Sequence, residues 1–303
     1  MTSLASSRIR CRLQRLGIWE DSELAAGDHE SLAASESHGA QSAVAGDRVI
    51  CARYYSRLKR FVENGWPVLL EGPAAAGKST AVRQLANELG ATLFVQQCHR
   101  TLSVEEIRGT RGLNEQGTTF EPGLLTASLR HPSGWYFVEE INMADPAILS
   151  LLNNLLDGSR EISIPETGDV VPVPEHWRFL GAYNAGYVGA GELNQALVSR
   201  CLVIECDFFP TEIEAELIRQ KYPAIGERAE AIIKVAQVVR AARANGEHQF
   251  DMCLRTCFQL AEEWLESGSL LESFEVIVLP KIGERHSFGP VRDGLLEAIL
   301  FLA

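Results

Sequence analysis

Residues Gly72–Ser79 read GPAAAGKS, and this segment constrains the fold of the chain more than any other. It follows an apolar run at 67–70 and opens a helical pattern, so it lies between a strand and a helix. Glycines let the backbone wrap tightly so that its N–H groups point at phosphate oxygens, and the helix N-terminus adds the positive end of its dipole. We therefore predict a phosphate-binding loop (P-loop), with Lys78 on the β- and γ-phosphates of a nucleotide and the Ser79 hydroxyl on Mg²⁺. The predicted nucleotide-binding residues of this segment are Gly72, Pro73, Ala74, Ala75, Ala76, Gly77, Lys78, Ser79 and Thr80.

Composition narrows the class of protein. The 303 residues are 46% hydrophobic, which is enough to bury a large core. No apolar stretch approaches the roughly 20 residues that cross a bilayer, so we expect no membrane segment. The net charge of -12 disfavours a general attraction to nucleic acid or anionic lipid and favours protein partners. Seven scattered cysteines without a C-x-x-C pair predict reduced thiols and a cytoplasmic protein.

The first 47 residues differ from the rest of the chain. Arginines at 8, 10, 12 and 15 come without an acid, and residues 20–47 are rich in Ala, Ser, Gly and acids. The second stretch cannot build a core, so we predict a disordered or weakly ordered extension over residues 1–47. The basic opening is compatible with a short docking helix, a plain tail or part of an organelle transit peptide, and these alternatives stay open.

From Arg48 onward, helical and strand-like patterns alternate, which predicts an α/β domain over 48–210 with a parallel five-stranded sheet flanked by helices. The predicted strands lie at residues 67–70, 91–97, 135–138, 178–182 and 202–206. Asp145 and Pro146 are typical of a helix start, and Gly158 of its end. After Pro210 the pattern is helical only, so we predict a small all-α lid subdomain over 211–303. Its predicted helices lie at 211–221, 227–244 and 252–266, with two more toward residue 303.

Two carboxylates follow the apolar strand Trp135–Val138. Ligands bind at the carboxyl ends of strands in open parallel sheets, so this is where acids can meet a bound nucleotide. We predict that Glu139 holds Mg²⁺ through water and that Glu140 orients or deprotonates the attacking water. The first position is normally Asp, so the longer Glu139 puts metal geometry and hydrolysis rate in question. The alternative is a strand that ends in two solvated acids.

Three further polar residues have candidate roles. Asn184 follows the strand at 178–182, where its amide can bind the attacking water or the γ-phosphate, although an Asn after a strand can also shape a turn. Arg200 precedes the last strand and can complete a neighbour's active site in trans, which implies a ring or a dimer. A surface salt bridge is the alternative for Arg200. Arg255, at the start of a helix in the lid, can fold back onto the γ-phosphate or remain on the helix surface.

Five features occur in a fixed order along the chain: the P-loop, the two acids after the strand at 135–138, Asn184, Arg200 and Arg255. In this order, and with a helical region after the fifth strand, they resemble the AAA+ ATPases over residues 48–303. The segment 139–158, with EEINMADP at its start and LDG at its end, is similar to the MoxR and dynein-related branch, including the CbbQ/NirQ/NorQ-type proteins. Residues 160–174 read as a β-hairpin inserted before the sensor strand, with turn chemistry at Glu166–Asp169. The segment 120–125 (FEPGLL) matches the family's turn into the helix before the acidic strand.

The resemblance implies ATP and Mg²⁺ as cofactors and assigns roles to three residues. Asn184 becomes sensor 1, Arg200 the arginine finger and Arg255 sensor 2. Family members commonly act as ATP-driven, often hexameric, remodelling or activating factors. They often pair with a protein that carries a von Willebrand factor A domain, and the inserted hairpin lines the ring and contacts the client.

The sequence therefore predicts a Mg²⁺-dependent ATPase that acts in a chaperone-like way on a protein client. A nucleotide-gated binding module with little hydrolysis is the main alternative, motivated by Glu139. A P-loop kinase would act as a monomer, and the predicted role of Arg200 in trans argues against it. A nucleic-acid motor or a restriction subunit of the GTP-using relatives is disfavoured by the acidic balance.

Overall fold

The computed structural model describes residues 54–114, 117–158, 160–184, 193–246 and 248–282. The predicted N-terminal extension over 1–47 and the part of the last predicted helices beyond 282 lie outside these residues. The chain divides into two compact units. Of the described residues, the first unit comprises those from 54 to Gly72 and from Gly77 to Cys206, and the second comprises Pro73–Ala76 and those from Asp207 to 282.

A five-stranded parallel sheet forms the centre of the first unit, in the order β2-β5-β8-β1-β9. In chain order the described strands are β1 (Val68–Glu71), β2 (Thr92–Gln97), β3 (Gly109–Asn114), β4 (Gly117–Pro122), β5 (Gly134–Glu139), β6 (Glu161–Ile164), β7 (Asp169–Pro172), β8 (Arg178–Tyr183) and β9 (Leu202–Glu205). The five predicted strands of the sheet are confirmed, each to within one residue at either end. The predicted α/β fold with its parallel sheet is therefore confirmed.

The central strands are buried on both faces. Val68, Leu69 and Leu70 of β1 are fully buried, and so are Phe137 and Val138 of β5. Strands of this kind read as continuous apolar runs rather than as an alternating pattern, because helices cover both faces of a parallel sheet. Because the five strands pair in parallel, their polar carboxyl ends lie at one edge of the sheet.

The described helices of the first unit are α1 (Tyr55–Glu63), α2 (Lys78–Glu88), α3 (Val104–Arg108), α4 (Leu124–Arg130), α5 (Pro146–Leu155) and α6 (Gln195–Val198), and a short 3₁₀ helix covers Ile141–Met143. Helix α2 begins inside the P-loop, as predicted. At the start of α5, the Asp145 carboxylate accepts a hydrogen bond from the Ala147 amide at 2.8 Å. Helix α5 ends three residues before the predicted Gly158, because the Asp157 carboxylate captures the Gly158 N–H that a longer helix would use.

Two antiparallel hairpins are inserted in the chain between strands of the parallel sheet. Strands β6 and β7 form the predicted inserted hairpin, which is confirmed. Strands β3 and β4 form a second hairpin that the sequence did not predict, because their residues are mostly Gly, Thr and charged rather than alternating apolar and polar. The predicted turn at 120–125 is confirmed, since β4 ends at Pro122 and α4 begins at Leu124.

From Asp207 onward, the described part of the second unit is helical. Its helices are α7 (Thr211–Lys221), α8 (Arg228–Ala244), α9 (Leu254–Ser267), α10 (Leu270–Ile277) and α11 (Leu279–Ile282), with a 3₁₀ turn at Pro223–Ile225. The predicted helices at 211–221, 227–244 and 252–266 are confirmed to within two residues at either end. Cys253 and Cys257, four positions apart, are both buried. Within the described ranges, no helix has the length and apolar character needed to cross a bilayer.

A buried ion pair ties two helices of the second unit together. Both Nη atoms of Arg240 donate to the carboxylate of Glu214, each at 2.8 Å. The Nε atom of Arg240 donates to the Met252 carbonyl at 2.8 Å, and its guanidinium lies 3.9 Å from the ring centroid of Phe208. The Glu214 side chain is only 1% exposed, so this carboxylate depends on Arg240 to balance its charge.

Candidate functional site

Three of the predicted site residues lie at the carboxyl edge of the parallel sheet. Gly72 follows β1, Glu139 ends β5 and Asn184 follows β8. The pairing register sets Glu71 beside Tyr183, and it sets Glu139 beside the last but one residue of β8. The three strands are adjacent in the sheet and end at nearly the same level, so the residues after them converge.

The backbone of the P-loop has the conformation that a phosphate cradle requires. Ala75 and Gly77 have positive φ angles of 56° and 79°. Left-handed residues within a turn direct consecutive N–H groups to one side and create an anion-binding concavity. Gly77 is the N-cap of α2 and makes no side-chain cap bond, and the N-terminus of a helix at this position is one that an anion can bind. The left-handed Ala75 is strained for a residue with a side chain, as is common at functional sites.

Gly72 is required by a close approach between two strand ends. A Cβ atom built on Gly72 would lie 1.9 Å from the backbone oxygen of Cys206, the residue directly after β9. Only glycine fits there. The sequence assigned Gly72 to the backbone wrap around phosphate, and this second, steric reason comes from the neighbouring strand.

Lys78 is buried and already hydrogen bonded. Its Nζ atom donates to the Gly72 carbonyl and to Oδ1 of Asn184, at 2.8 Å in each case. Burial lowers the pKa of Lys78, while Cys206 and Glu140 act in the opposite direction. The structure thus brings together Lys78 and Asn184, two residues that lie 106 positions apart in the sequence.

The two acids after β5 have different environments. Glu139 is half-buried, and its Oε1 atom lies 3.9 Å from Nη2 of Arg83 in α2. Glu140 is exposed and has a left-handed backbone, with φ 52° and ψ 44°. The turn that follows is tied to the sensor strand, because the Asn142 amide donates to the Asn184 carbonyl at 3.3 Å. Arg83 and Asn142 were missed from the sequence, although Asn142 is a polar residue in an otherwise apolar segment.

The donor set fits a magnesium ion. Ser79 supplies a hydroxyl oxygen and Glu139 a carboxylate oxygen, and Mg²⁺ takes oxygen ligands. In the described residues there is no cluster of three or more His, Cys, Asp or Glu side chains that could hold a metal. Magnesium in nucleotide sites needs no such cluster, because one or two protein oxygens act together with phosphates and water. Arg83 is the charged group that competes for Glu139.

Arg200 lies in the turn between α6 and β9, and its side chain is 30% exposed. Its Nη1 atom donates to the Ala196 carbonyl and its Nη2 atom to Oδ2 of Asp157, each at 2.8 Å. The salt bridge that the sequence left open as an alternative is therefore present, and Asp157 is its partner. Among the described hydrogen bonds and ion pairs, none joins Arg200 to Lys78, Glu140 or Asn184.

Arg255 is the second residue of α9 and is exposed. It lies in the second unit, and its assignment as sensor 2 stays a prediction.

Comparison with known proteins places this arrangement in a family. Residues 67–201 match the family described as AAA domain (dynein-related subfamily). An uncharacterized protein of Staphylococcus aureus (strain USA300) is 30% identical over 218 residues, which cover 70% of this chain and 78% of that protein. An uncharacterized protein of Staphylococcus haemolyticus (strain JCSC1435) is 31% identical over 186 residues, covering 59% and 70% respectively. The chain belongs to the dynein-related subfamily of AAA proteins.

Two solved structures are similar to this AAA protein. A RuvB variant from Thermotoga maritima is 19% identical, with a TM-score of 0.49 over 74% of this chain and 67% of that chain. A protein from Cytophaga hutchinsonii is 14% identical, with a TM-score of 0.46 over 80% and 87%. Both scores are below 0.5, so the family assignment rests on the sequence matches.

The predicted resemblance to AAA ATPases is confirmed at the level of the AAA domain and its dynein-related subfamily. The finer resemblance to MoxR and CbbQ/NirQ/NorQ-type proteins stays a prediction. An AAA-family ATPase domain implies nucleotide binding, usually with Mg²⁺, and the P-loop of this chain has the corresponding backbone.

One further pair of the AAA domain was missed from the sequence. The Tyr183 hydroxyl donates to Oε2 of Glu71 at 2.9 Å, and burial together with this carboxylate raises the pKa of Tyr183. Glu71 directly precedes Gly72, and Tyr183 directly precedes Asn184. The pair therefore links the last residues of β1 and β8 at the point where the P-loop and the predicted sensor begin. Only the strand register reveals that these two residues are neighbours.

Proposed function

We propose that this AAA protein binds and hydrolyses Mg²⁺-ATP and uses the cycle to remodel or activate a protein client in a chaperone-like way. It acts as a homo-oligomer, specifically a hexameric ring, in which each nucleotide site is shared between two subunits. The observation that carries the proposal is the 2.8 Å hydrogen bond from Lys78 to Asn184, at the edge of the sheet where Glu139 and Glu140 also lie.

Nucleotide binding exchanges the partners of Lys78. Its ammonium now donates to the Gly72 carbonyl and to Asn184, and phosphate oxygens replace both as stronger, charged acceptors. Because Lys78 is already buried, little further desolvation is required and its charge acts in a low-dielectric environment. The amide of Asn184 is then released to bind the γ-phosphate or the attacking water.

The acids supply the remaining groups. Magnesium, held by Ser79 and Glu139, would neutralise charge on the phosphates. Glu140 orients the attacking water and accepts its proton, and its exposed position after β5 leaves the carboxylate accessible to solvent. Arg200 of a neighbouring subunit stabilises the charge that develops on the transferred phosphoryl group.

The client surface is the inserted hairpin of β6 and β7. Val170 on β7 is 54% exposed, an apolar contact of the kind that a protein client can cover. The family resemblance and the net charge of -12 favour a protein partner, in particular one with a von Willebrand factor A domain, over nucleic acid. Added DNA or RNA is accordingly expected to leave the hydrolysis rate unchanged.

The test is ATP hydrolysis by the full chain, measured together with its mass in solution. We expect the Lys78→Ala and Glu140→Gln variants each to lower turnover by about a hundredfold or more, with ATP binding retained only in Glu140→Gln. The trapped Glu140→Gln protein should also co-purify with its client. A wild-type protein that neither assembles nor hydrolyses ATP, alone or with its partner, would contradict the proposal.

A second candidate is a nucleotide-gated assembly module with little hydrolysis of its own. Glu139 is one methylene longer than the usual Asp, and it lies within ion-pair distance of Arg83. Substituting Glu139→Asp separates the candidates, because a large gain in turnover would mean that the natural residue restrains hydrolysis. Glu105→Asp, the same change at an exposed position of α3, is the matched control.

A further inference from the structure

Arg200 is held in place by an acid from another part of the first unit. We propose that Asp157 is a positioning residue for Arg200 and fixes its guanidinium at the subunit surface, where it completes the nucleotide site of a neighbouring copy. The inference deepens the proposed function and rests on it, because it requires Arg200 to act in trans.

The contacts of Arg200 define the orientation of its guanidinium. Nη2 is fixed by Oδ2 of Asp157 and Nη1 by the Ala196 carbonyl, both at 2.8 Å. The third nitrogen, Nε, is buried and has no hydrogen-bond partner in the part of the chain that the structure describes. A planar guanidinium that is fixed at both terminal nitrogens by two separate elements retains little freedom to rotate.

Asp157 is itself held in a defined orientation. It lies two residues after the last residue of α5, and its Oδ1 atom accepts a hydrogen bond from the Gly158 amide at 2.8 Å. One carboxylate oxygen is therefore bound to the backbone and the other faces Arg200. The hydrogen bond from Arg200 holds the pKa of Asp157 below its ordinary value, so the pair is charged at neutral pH.

This pair contributes more to geometry than to stability. The Asp157 side chain is 60% exposed, and exposed ion pairs stabilise folded proteins little because water and salt screen them. A catalytic group that is displaced by about 1 Å, in contrast, can lose a large part of its effect. Helix α5 also begins six residues after Glu140, so one helix with a buried apolar face connects the turn after the acids to the residue that fixes Arg200.

The experiment mixes two inactive variants of the full chain. Glu140→Gln subunits bind ATP without cleaving it and provide Arg200, while Arg200→Ala subunits provide a complete site but no finger. Mixed rings should recover ATP hydrolysis at the interfaces where the two meet. Asp157→Asn is then placed either in the Glu140→Gln subunit, on the same chain as Arg200, or in the Arg200→Ala subunit.

We expect hydrolysis by the mixture to fall about tenfold or more in the first placement and to stay within about twofold in the second. Asp157→Glu, which keeps the charge, should recover part of the loss. Glu175→Gln, an exposed acid of the first unit, serves as the charge control in the same subunit as Arg200. Equal losses in both placements would mean that Asp157 acts on folding, and no loss in either would mean that it does not act on Arg200. A gain in the first placement would mean that Asp157 restrains Arg200.

Each of these three results overturns the inference and leaves the shared site intact. If the parent mixture of Glu140→Gln and Arg200→Ala shows no hydrolysis at all, the shared site itself is wrong and the inference falls with it. The parent mixture therefore distinguishes the failure of the proposed function from the failure of the positioning role.

Discussion

The ammonium of Lys78 lies 2.8 Å from the amide oxygen of Asn184, so the predicted phosphate ligand and the predicted phosphate sensor are hydrogen bonded to each other. The pair joins the first turn of α2 to the end of β8. On the proposed function, a bound nucleotide brings phosphate oxygens that compete with Asn184 for the Lys78 ammonium. The free energy of exchanging Asn184 for phosphate as the partner of Lys78 depends on the side chain at position 184, so substitutions there can change it.

Two substitutions of Asn184 should separate binding from hydrolysis. In Asn184→Ala, Lys78 loses one acceptor, so the affinity for ATP should stay within about threefold while turnover falls about tenfold or more. In Asn184→Asp, a carboxylate pairs with Lys78 and repels the γ-phosphate, so ATP affinity should fall about tenfold or more. Fluorescent-nucleotide titration and steady-state hydrolysis measure the two quantities. Asn87→Asp, exposed on α2, adds the same charge without this contact and should have no effect.

Gly72→Ala should disrupt the end of the sheet. The added Cβ would overlap the backbone oxygen of Cys206, and backbone cannot move as easily as a flexible side chain. We expect a loss of about 1–3 kcal/mol in the free energy of unfolding, together with loss of nucleotide binding. Gly158→Ala is the matched control, since no atom lies within 4 Å of a Cβ at that position. Urea unfolding of both variants that gave equal midpoints would contradict the steric explanation.

Glu166 joins the β6–β7 hairpin to Arg108 and Arg111, and the stability that this contact provides should depend on pH. Its Oε1 atom lies 2.6 Å from Nη2 of Arg108, while its backbone oxygen accepts from Arg111, and the pKa of Glu166 is lowered, chiefly by the hydrogen bond from Arg108. Because the pKa of Glu166 is lower in the folded protein, its ionised carboxylate stabilises the fold at pH values above the unfolded pKa of 4.5. This stabilisation is lost as the pH falls through the folded pKa. Glu166→Gln should cost less than about 1 kcal/mol at pH 7.

The check is the difference in unfolding free energy between wild type and Glu166→Gln, followed from pH 7 downward. The difference should shrink toward zero once wild-type Glu166 is protonated. A constant difference across that range would show that the ion pair is not its source.

Glu214→Gln should destabilise the helical unit strongly. The substitution leaves the buried Arg240 guanidinium without its charge partner, and breaking a buried pair on one side costs about 3–5 kcal/mol. The control is Glu212→Gln, because Glu212 is exposed in the first turn of α7. It should lower the free energy of unfolding by less than about 1 kcal/mol. Thermal unfolding compares the two. Similar melting temperatures for both variants would mean that Arg240 finds other acceptors.

Much of this fold could be predicted because its signals are local. The apolar runs of β1 and β5 follow from burial on both faces, and the start of α5 follows from Asp145 and Pro146 at consecutive positions. The P-loop likewise lies within eight consecutive residues that dictate its own backbone. The predicted roles of Lys78 and Asn184 needed only the end of each strand, which apolar patterning locates well.

The interactions that were missed join residues far apart in sequence. Glu71 and Tyr183 meet only because β1 and β8 pair in one register, and a shift of one residue would separate them. Asp157 and Arg200 are 43 positions apart and belong to different elements. The β3–β4 hairpin lacked an apolar alternation that would have marked its strands. Local sequence pattern predicts the helices and strands, whereas contacts between distant residues depend on how those helices and strands pack.

The contact between Gly72 and the carbonyl of Cys206 sets a rule for building chimeras with other AAA proteins. The helical part of the second unit begins at Asp207, directly after the residue whose backbone limits position 72. A chimera that exchanges this helical part should keep Cys206 with its native P-loop, because a donor segment that starts earlier brings a foreign backbone against the first glycine. The crossover point for such recombination is therefore after Cys206, and the nucleotide affinity of the chimera reports whether it was placed correctly.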